Sequence, residues 1–191
     1  MSIASAPTTQ TTTTWQIDPS HSLVEFGVRH MMFSTVKGRF TGLQGTIIDV
    51  ADDPTRSSVQ VSIDATSVTT GDDNRDGHLR SADFFNVEQY PTITFASRRI
   101  EGSREQFTVT GDLTINGTTR EVTLDATFNG AATNPFGKTV AGFSAEGKIN
   151  RKDWGLNWNM ALEAGGVLVS DLVNLSAEVA LVRRAAVPAT A

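Results

Sequence analysis

The run Phe107–Phe128, FTVTGDLTINGTTREVTLDATF, reads as two strands joined by a two-residue turn. Apolar residues fall at alternate positions: Phe107, Val109, Leu113 and Ile115 before Asn116–Gly117, then Val122, Leu124, Ala126 and Phe128 after it. That period sends successive side chains to opposite faces of an extended chain. Asn-Gly tolerates positive φ at both central positions, so a type I′ hairpin turn is predicted. The turn sets Ile115 opposite Thr118, Val109 opposite Leu124 and Phe107 opposite Ala126. A slip of one residue would pair core positions with solvent positions. Arg120 opposite Leu113 is the one misfit.

The same period extends outward in both directions. Val24, Phe26 and Val28 share a face, as do Val59, Val61, Ile63 and Ala65, and Ile93 with Phe95 after Pro91. Towards the C-terminus come Phe143, Ala145, Gly147 and Ile149, then Val173, Leu175, Ala177, Val179 and Leu181. Further strands are predicted at Trp15–Asp18, Lys37–Val50 and Leu156–Met160. Gly38, Gly42 and Gly45 punctuate the second of these as bends or bulges. Helix is confined to a turn at Pro19–Ser22, a short helix at Asp72–Arg80 and a turn at Ser81–Asn86. About eight strands with short connections make an all-β fold, either an antiparallel sandwich or an up-and-down barrel. One domain over Trp15–Arg183 is expected. Disordered tails are expected at 1–14, Thr-rich from position 7, and at 184–191.

Composition narrows the function. The chain has 191 residues, a net charge of −5 and no cysteine. The balance carries no basic footprint for nucleic acid. Absence of cysteine removes thiol catalysis, iron–sulfur clusters, Cys-based zinc sites and disulfides. No apolar run approaches the ~20 residues of a spanning helix, so an integral membrane protein is not expected. The first residues, MSIASAPTTQTTTT, hold no Lys or Arg and no apolar stretch, so they do not read as a secretory signal and a cytoplasmic location is expected.

Candidate chemistry is thin. His21, His30 and His78 fall at no metal-ligand spacing. Asp72, Asn74, Asp76, Gly77 and Asp83 imitate the ligand positions of a calcium loop. A strand precedes them instead of a helix, Asp83 stands where Glu is usual, and acids at a helix start favour the positive helix end in any case. Phosphate-cradling glycine motifs are absent, and the run Gly142–Gly147 has the wrong spacing for a nucleophile elbow. No catalytic residue, cofactor or metal is predicted. The aromatic set says more. Met31, Met32 and Phe33, and Phe84 with Phe85, sit in stretches without a strand period, and apolar residues on loops need cover from the fold or from a ligand.

Six ordered blocks carry a family resemblance. They are Trp15, Ile17, Asp18, His21 and Ser22; Phe26, Val28, His30 and Met31; Gly38 and Phe40; His78–Ser81 with Asp83–Phe85; Tyr90, Pro91, Ile93 and Phe95; and Gly111, Leu113–Ile115 and Gly117. From Trp15 to about Leu181 the chain resembles the YceI-like, or polyisoprenoid-binding, family. The resemblance implies a lipocalin-like antiparallel β-barrel of about eight strands with a short helical insertion. It further implies an apolar ligand inside the barrel, such as an isoprenoid quinone, a polyprenyl phosphate or a fatty-acid derivative, and no established catalytic residues. Many members carry a secretory signal, a point at which this sequence departs from them. A homodimer is also compatible with the resemblance, although no interface pattern is legible.

On that reading the chain stores or transports a lipid. Its tail is expected against Phe26, Phe40, Phe95, Val109, Leu113 and Leu124. Met31, Phe33, Phe84 and Phe85 are expected at the mouth, and His21, Arg29, His30, His78 and Arg80 at a polar head group. Small inward residues such as Ala65, Ala126, Ala145 and Gly147 would leave room for it. The rival reading is a hydrolase or isomerase of an apolar substrate using His21, His30, His78 and Asp83, which would require two of them to converge within hydrogen-bond distance. A third is a protein-binding module with a vestigial pocket, which a barrel filled by its own side chains would favour.

Overall fold

The computed structural model describes residues 11–184 except 52 and 164. Its extended segments are, in order, β1 (Thr12–Ile17), β2 (Leu23–His30), β3 (Ser34–Phe40), β4 (Leu43–Val50), β5 (Ser58–Asp64), β6 (Val68–Thr69), β7 (Thr92–Gly102), β8 (Gln106–Ile115), β9 (Thr118–Thr133), β10 (Thr139–Asn150) and β11 (Val169–Arg183). One helix, α1 (Asp73–Arg80), lies between β6 and β7. All pairings are antiparallel, and the sheet closes on itself where β1 meets β11.

Eleven segments make eight wall strands. β1 and β2 lie end to end along β11, which places Trp15 opposite Arg183 and Phe26 opposite Leu175. The break between them is a 3-10 turn, Pro19–His21, capped by the Asp18 carboxylate, which accepts the Ser20 amide at 3.0 Å. β3 and β4 are one strand interrupted at Thr41–Gly42, whose amides both donate to the Ser67 hydroxyl. β5 and β6 are separated by the turn Ala65–Ser67, capped by Asp64. The remaining strands are continuous. Each wall strand therefore pairs with its neighbours in sequence, the arrangement of an up-and-down barrel.

The hairpin forms in the register its sequence dictates: Ile115 faces Thr118, Val109 faces Leu124, Phe107 faces Ala126 and Arg120 faces Leu113. Asn116 and Gly117 have φ of 49° and 71°. A Cβ on Gly117 would lie 2.5 Å from the Tyr90 ring, so glycine also lets Tyr90 cover the turn. Two expectations are corrected. Strand pairing starts at Thr12, opposite Val50, and so reaches into the Thr-rich run expected to be disordered; residues 1–10 and 185–191 lie outside the described residues. Leu156–Met160 is not a sheet strand; near it only Ala161 and Val167 form an isolated bridge.

Alternating strand direction gives the barrel two unlike ends. At one, the hairpin end, the connections are residues 51–57, 103–105 and 134–138. At the other, the crossover end, they are the turn 31–33, the segment 70–91 containing α1, the Asn116–Gly117 turn and the segment 151–168. Two wall glycines, Gly38 and Gly147, are covered by side chains from adjacent strands. A Cβ on Gly38 would meet the Phe26 ring at 2.2 Å, and one on Gly147 would meet Leu124 at 2.5 Å, so the space at Gly147 belongs to Leu124 and not to a ligand. No helix among the described residues is long and apolar enough to cross a membrane.

Candidate functional site

The barrel encloses a cavity of about 790 Å³ that reaches from the hairpin end to the crossover end. Eight strands leave an interior that side chains can fill or that can hold one slender ligand, and here it is not filled. Strand alternation supplies the middle of the wall: Val61, Ile93, Leu113, Val122, Leu124 and Ala126 all face inward. Aromatic rings close in towards the ends. Phe107, Phe143 and Phe128 pack in series at the hairpin end, the first pair edge-on and the second tilted, with centroids 6.1 and 5.2 Å apart. Phe26, Phe40 and Phe85 form a second series at 5.8 and 5.5 Å. Ser144 and Ser176 occupy alternate positions of β10 and β11. The other polar lining residues stand at the two ends: His30, Thr70, Asn74, Arg75, His78 and Arg151 at the crossover end, and Asp49, Ser57, Ser103 and Arg104 at the hairpin end.

At the crossover end the wall is built by connections, and buried polar groups hold them. Asp72 caps α1 by accepting the Arg75 amide at 2.9 Å. Asp76, on the first turns of the helix, is buried and accepts both the amide (2.8 Å) and the hydroxyl of Thr70. Burial pushes the Asp76 carboxyl up, but the Thr70 hydroxyl and amide, with Thr69 and Arg80, outweigh it and hold the group below the usual carboxylate range. Arg80 binds the Thr66 and Val68 carbonyls at 2.8 and 2.7 Å, fastening the helix to β6. The carboxylates of the calcium-like run are thus occupied by caps and helix contacts, and no cluster of three potential metal ligands occurs among the described residues.

The segment 151–168 depends on Arg151, which is 5% exposed. Its guanidinium donates to the carbonyls of Leu156, Trp158 (2.9 Å) and Ser170 (3.0 Å), with Asp171 at 3.7 Å. Burial lowers its pKa, while the Asp171 charge opposes that shift. Leu156 and Trp158 offer alternate carbonyls, as a strand would. The alternation in the sequence was therefore real, but its partner is a guanidinium and not a neighbouring strand. Leu156 and Trp158 both face the cavity.

His78 sits where these two connections meet. Its Nε2 lies 2.7 Å from Asp83 Oδ2, and its ring is edge-on to Trp158 at 4.7 Å and to Phe84 at 5.1 Å. Phe84 and Trp158 also contact each other at 5.5 Å. Of the residues expected at the ligand, Phe26, His30, Phe40, His78, Phe84, Phe85, Phe95, Val109, Leu113 and Leu124 line the cavity. Five do not. His21 is on the outer surface with Asp18, Nδ1 to Oδ2 at 2.8 Å. Arg29 follows Val28 on the opposite face of β2 and donates to the Met32 carbonyl. Met31 and Phe33 project from the β2–β3 turn into solvent, and Arg80 is engaged with β6. Trp158, Arg151 and the Phe107–Phe143–Phe128 series were not anticipated. Phe107, Phe128 and Phe143 already sat on inward positions of their strands, so period two alone could have found them. Arg151 has no such signal.

A YceI-like domain matches residues 15–181. A UPF0312 protein of Staphylococcus epidermidis is 39% identical over 166 residues, covering 86% of this chain and 95% of that protein. The solved structure of the Campylobacter jejuni YCEI protein is similar with a TM-score of 0.71 at 33% identity, covering 82% of this chain and 90% of the other. A polyisoprenoid binding domain from Saccharophagus degradans shares the fold, with a TM-score of 0.65 at 17% identity over 89% of this chain and 98% of that one. With the sequence blocks, the closed eight-stranded barrel and the helical insertion all in place, the chain belongs to the YceI-like family.

Proposed function

We propose that the protein binds a long apolar lipid of isoprenoid or acyl type inside the barrel, and holds or carries it. The observation that carries this reading is the continuous apolar cavity whose polar residues, Ser144 and Ser176 excepted, gather at the two ends. Such a cavity suits a ligand that is apolar along its length and polar at a terminus. Each buried methylene contributes ~0.8 kcal/mol, so ten supply about 8 kcal/mol before the cost of association is subtracted. The polyisoprenoid-binding relative in Saccharophagus degradans supports the same class of ligand. At the crossover end, His30 and His78 are the head-group contacts we propose. Native mass spectrometry of protein purified without detergent, followed by lipid extraction, tests the reading. A single bound lipid is expected. Protein that is repeatedly empty and takes up neither a prenol, a quinone nor a fatty acid would sink it.

The acid–base alternative required two of its residues to converge, and His78 and Asp83 do so. The pair lies between aromatic rings, and its side-chain hydrogen bonds among the described residues go no further than Asp83. We read it as a fixed imidazole: Nε2–H donates to the Asp83 carboxylate, and Nδ1 is left to accept from a ligand hydroxyl. His78→Gln is then expected to change head-group preference while the chain still binds. Turnover of a prenyl or acyl ester by the native protein, lost in His78→Gln, would favour the enzyme instead.

A further inference from the structure

The turn between β2 and β3 is conspicuous for what it exposes. Phe33 is 74% and Met32 63% exposed. Leu172, Met160, Val167 and Met31 are exposed beside them, so six large apolar side chains stand at one barrel end. They form one patch. Met31 donates its amide to the Leu168 carbonyl at 2.8 Å, Leu168 donates to the Met160 carbonyl at 2.9 Å, and Met32, Val167 and Leu172 line one shallow groove. Met31 and Met32 hold φ of 50° and 69°, a left-handed conformation that non-glycine residues seldom adopt. The backbone thus accepts strain in a turn that presents two thioethers and a phenyl ring to solvent. At the hairpin end, among the described residues, the exposed large apolar side chains are Phe136 and Ile48.

We infer that this tip docks the barrel onto a lipid bilayer. Two observations favour a bilayer over another protein. The first is position. His30, Leu168 and Val169 line the cavity and adjoin the tip, so the patch borders the crossover end of the proposed lipid site on the side of β2 and β11. A long apolar ligand resides in a membrane before it is bound, and a tip seated in the interface would let it pass into the barrel without entering bulk water. The second is charge. Arg29 borders the groove and donates to the Met32 carbonyl at 3.0 Å and the Thr35 hydroxyl, with no carboxylate in ion-pair distance among the described residues. The groove's one carboxylate, Asp171, is held by Lys152 at 2.9 Å and faces Arg151 at 3.7 Å. Arg29 is thus the uncompensated cation beside an apolar floor, and Glu163, exposed on the adjoining connection, does not line the groove; such an arginine suits the phosphates above the acyl chains of an anionic leaflet.

The inference rests on the lipid-binding reading, but the two fail separately. Flotation of the full chain with vesicles of phosphatidylglycerol and phosphatidylcholine in equal parts reads docking; uptake of a prenol from detergent micelles reads the cavity. The native protein is expected to float with the anionic vesicles. Met32→Ser with Phe33→Ser is expected to weaken partitioning about 100-fold, because two exposed side chains lose their burial in the acyl region, while micellar uptake is unchanged. Arg29→Gln should weaken binding several-fold on anionic vesicles alone, and Phe136→Ser should change nothing. The proposal is overturned if the native protein floats with no vesicle, or if the double variant floats as well as the native chain. It is also overturned if light scattering shows a native dimer that the double variant splits, since the tip would then join two copies of the chain. Should the double variant misfold, Phe33→Trp with brominated lipids replaces it: quenching of the new indole supports docking, and its absence rejects it. Loss of micellar uptake in the native chain would reject the cavity reading and leave the flotation result standing.

Discussion

The two ends of the barrel reach similar aromatic linings by different routes. At the hairpin end, Phe107, Phe128 and Phe143 come directly from strands, and the register of the sheet places their rings. At the crossover end, Phe84 and Trp158 come from connections, and a few buried polar side chains place them. The comparison teaches that a site built on strands inherits the stability of the whole wall, whereas one built on crossovers stands or falls with individual hydrogen bonds.

Removing the guanidinium at Arg151 breaks the crossover end most severely. Arg151→Ala leaves three carbonyls without donors and Asp171 without one of its cations. It is expected to cost about 3–5 kcal/mol in urea unfolding, with hydrogen exchange rising first across residues 151–168. Exchange in β8 and β9 should change least, which sharpens the contrast with the hairpin end. If the loss is spread evenly over the chain, the ends are not independent.

Asp76→Ala comes next. The Thr70 amide and hydroxyl lose their acceptor, for an expected cost of about 2–3 kcal/mol. The group's folded pKa lies below the usual carboxylate value. Its contribution is therefore fully present above the unfolded value and disappears as pH falls through the folded one. The variant should lack that part of the acid limb of the stability curve.

Paired truncations compare the ends as ligand walls. Trp158→Ala and Phe128→Ala each remove a ring from the cavity, and each should weaken binding of the extracted lipid about 10-fold or more. Trp158→Ala is expected also to alter head-group selectivity, because His78 loses one of its flanking rings. Equal selectivity in the two variants, measured by competition between a prenol and a fatty acid, would remove the asymmetry.

The smallest effect belongs to Asp18, away from either lining. The Ser20 hydroxyl first, then His21, lowers its pKa to about 2. Its contribution is present above the unfolded value of ~3.9 and is lost as pH falls towards the folded one. Asp18→Ala should cost about 1 kcal/mol at neutral pH, as for a lost cap, and flatten stability between those two values. Unchanged acid denaturation would show that this cap contributes nothing measurable.

The same division explains what was legible in the sequence. Period two located the wall strands and their inward residues, because a strand's faces follow from parity alone, and Asn116–Gly117 fixed a register that the structure reproduces. Parity also lay behind the strand expected at Leu156–Met160, where the alternation serves a guanidinium. Nothing local in the chain says that Arg151 turns inward, or that Arg80 is spent on Thr66 and Val68, because those partners are set by how crossovers fold back. For the same reason residue type misplaced His21 and Arg29. A histidine and an arginine near the mouth in sequence lie on the outer face in space. Phe33, expected to face a ligand, faces solvent.

The pairing of β1 with β11 has a consequence for biogenesis. It joins Trp15 to Arg183, nearly the full span of the described chain, and the Arg184 amide reaches back to the Thr14 carbonyl at 2.9 Å. During synthesis the consecutive hairpins can form as they emerge, but the wall cannot close until its final strand has been made. Until then β10 is an open edge, and the inward apolar faces have no enclosure. Contacts of such sequence separation form late and slowly, and an exposed edge invites strand addition by other chains. The interval before closure is therefore both the time at which this barrel is most prone to aggregate and the time at which an apolar molecule could be enclosed without threading through either end.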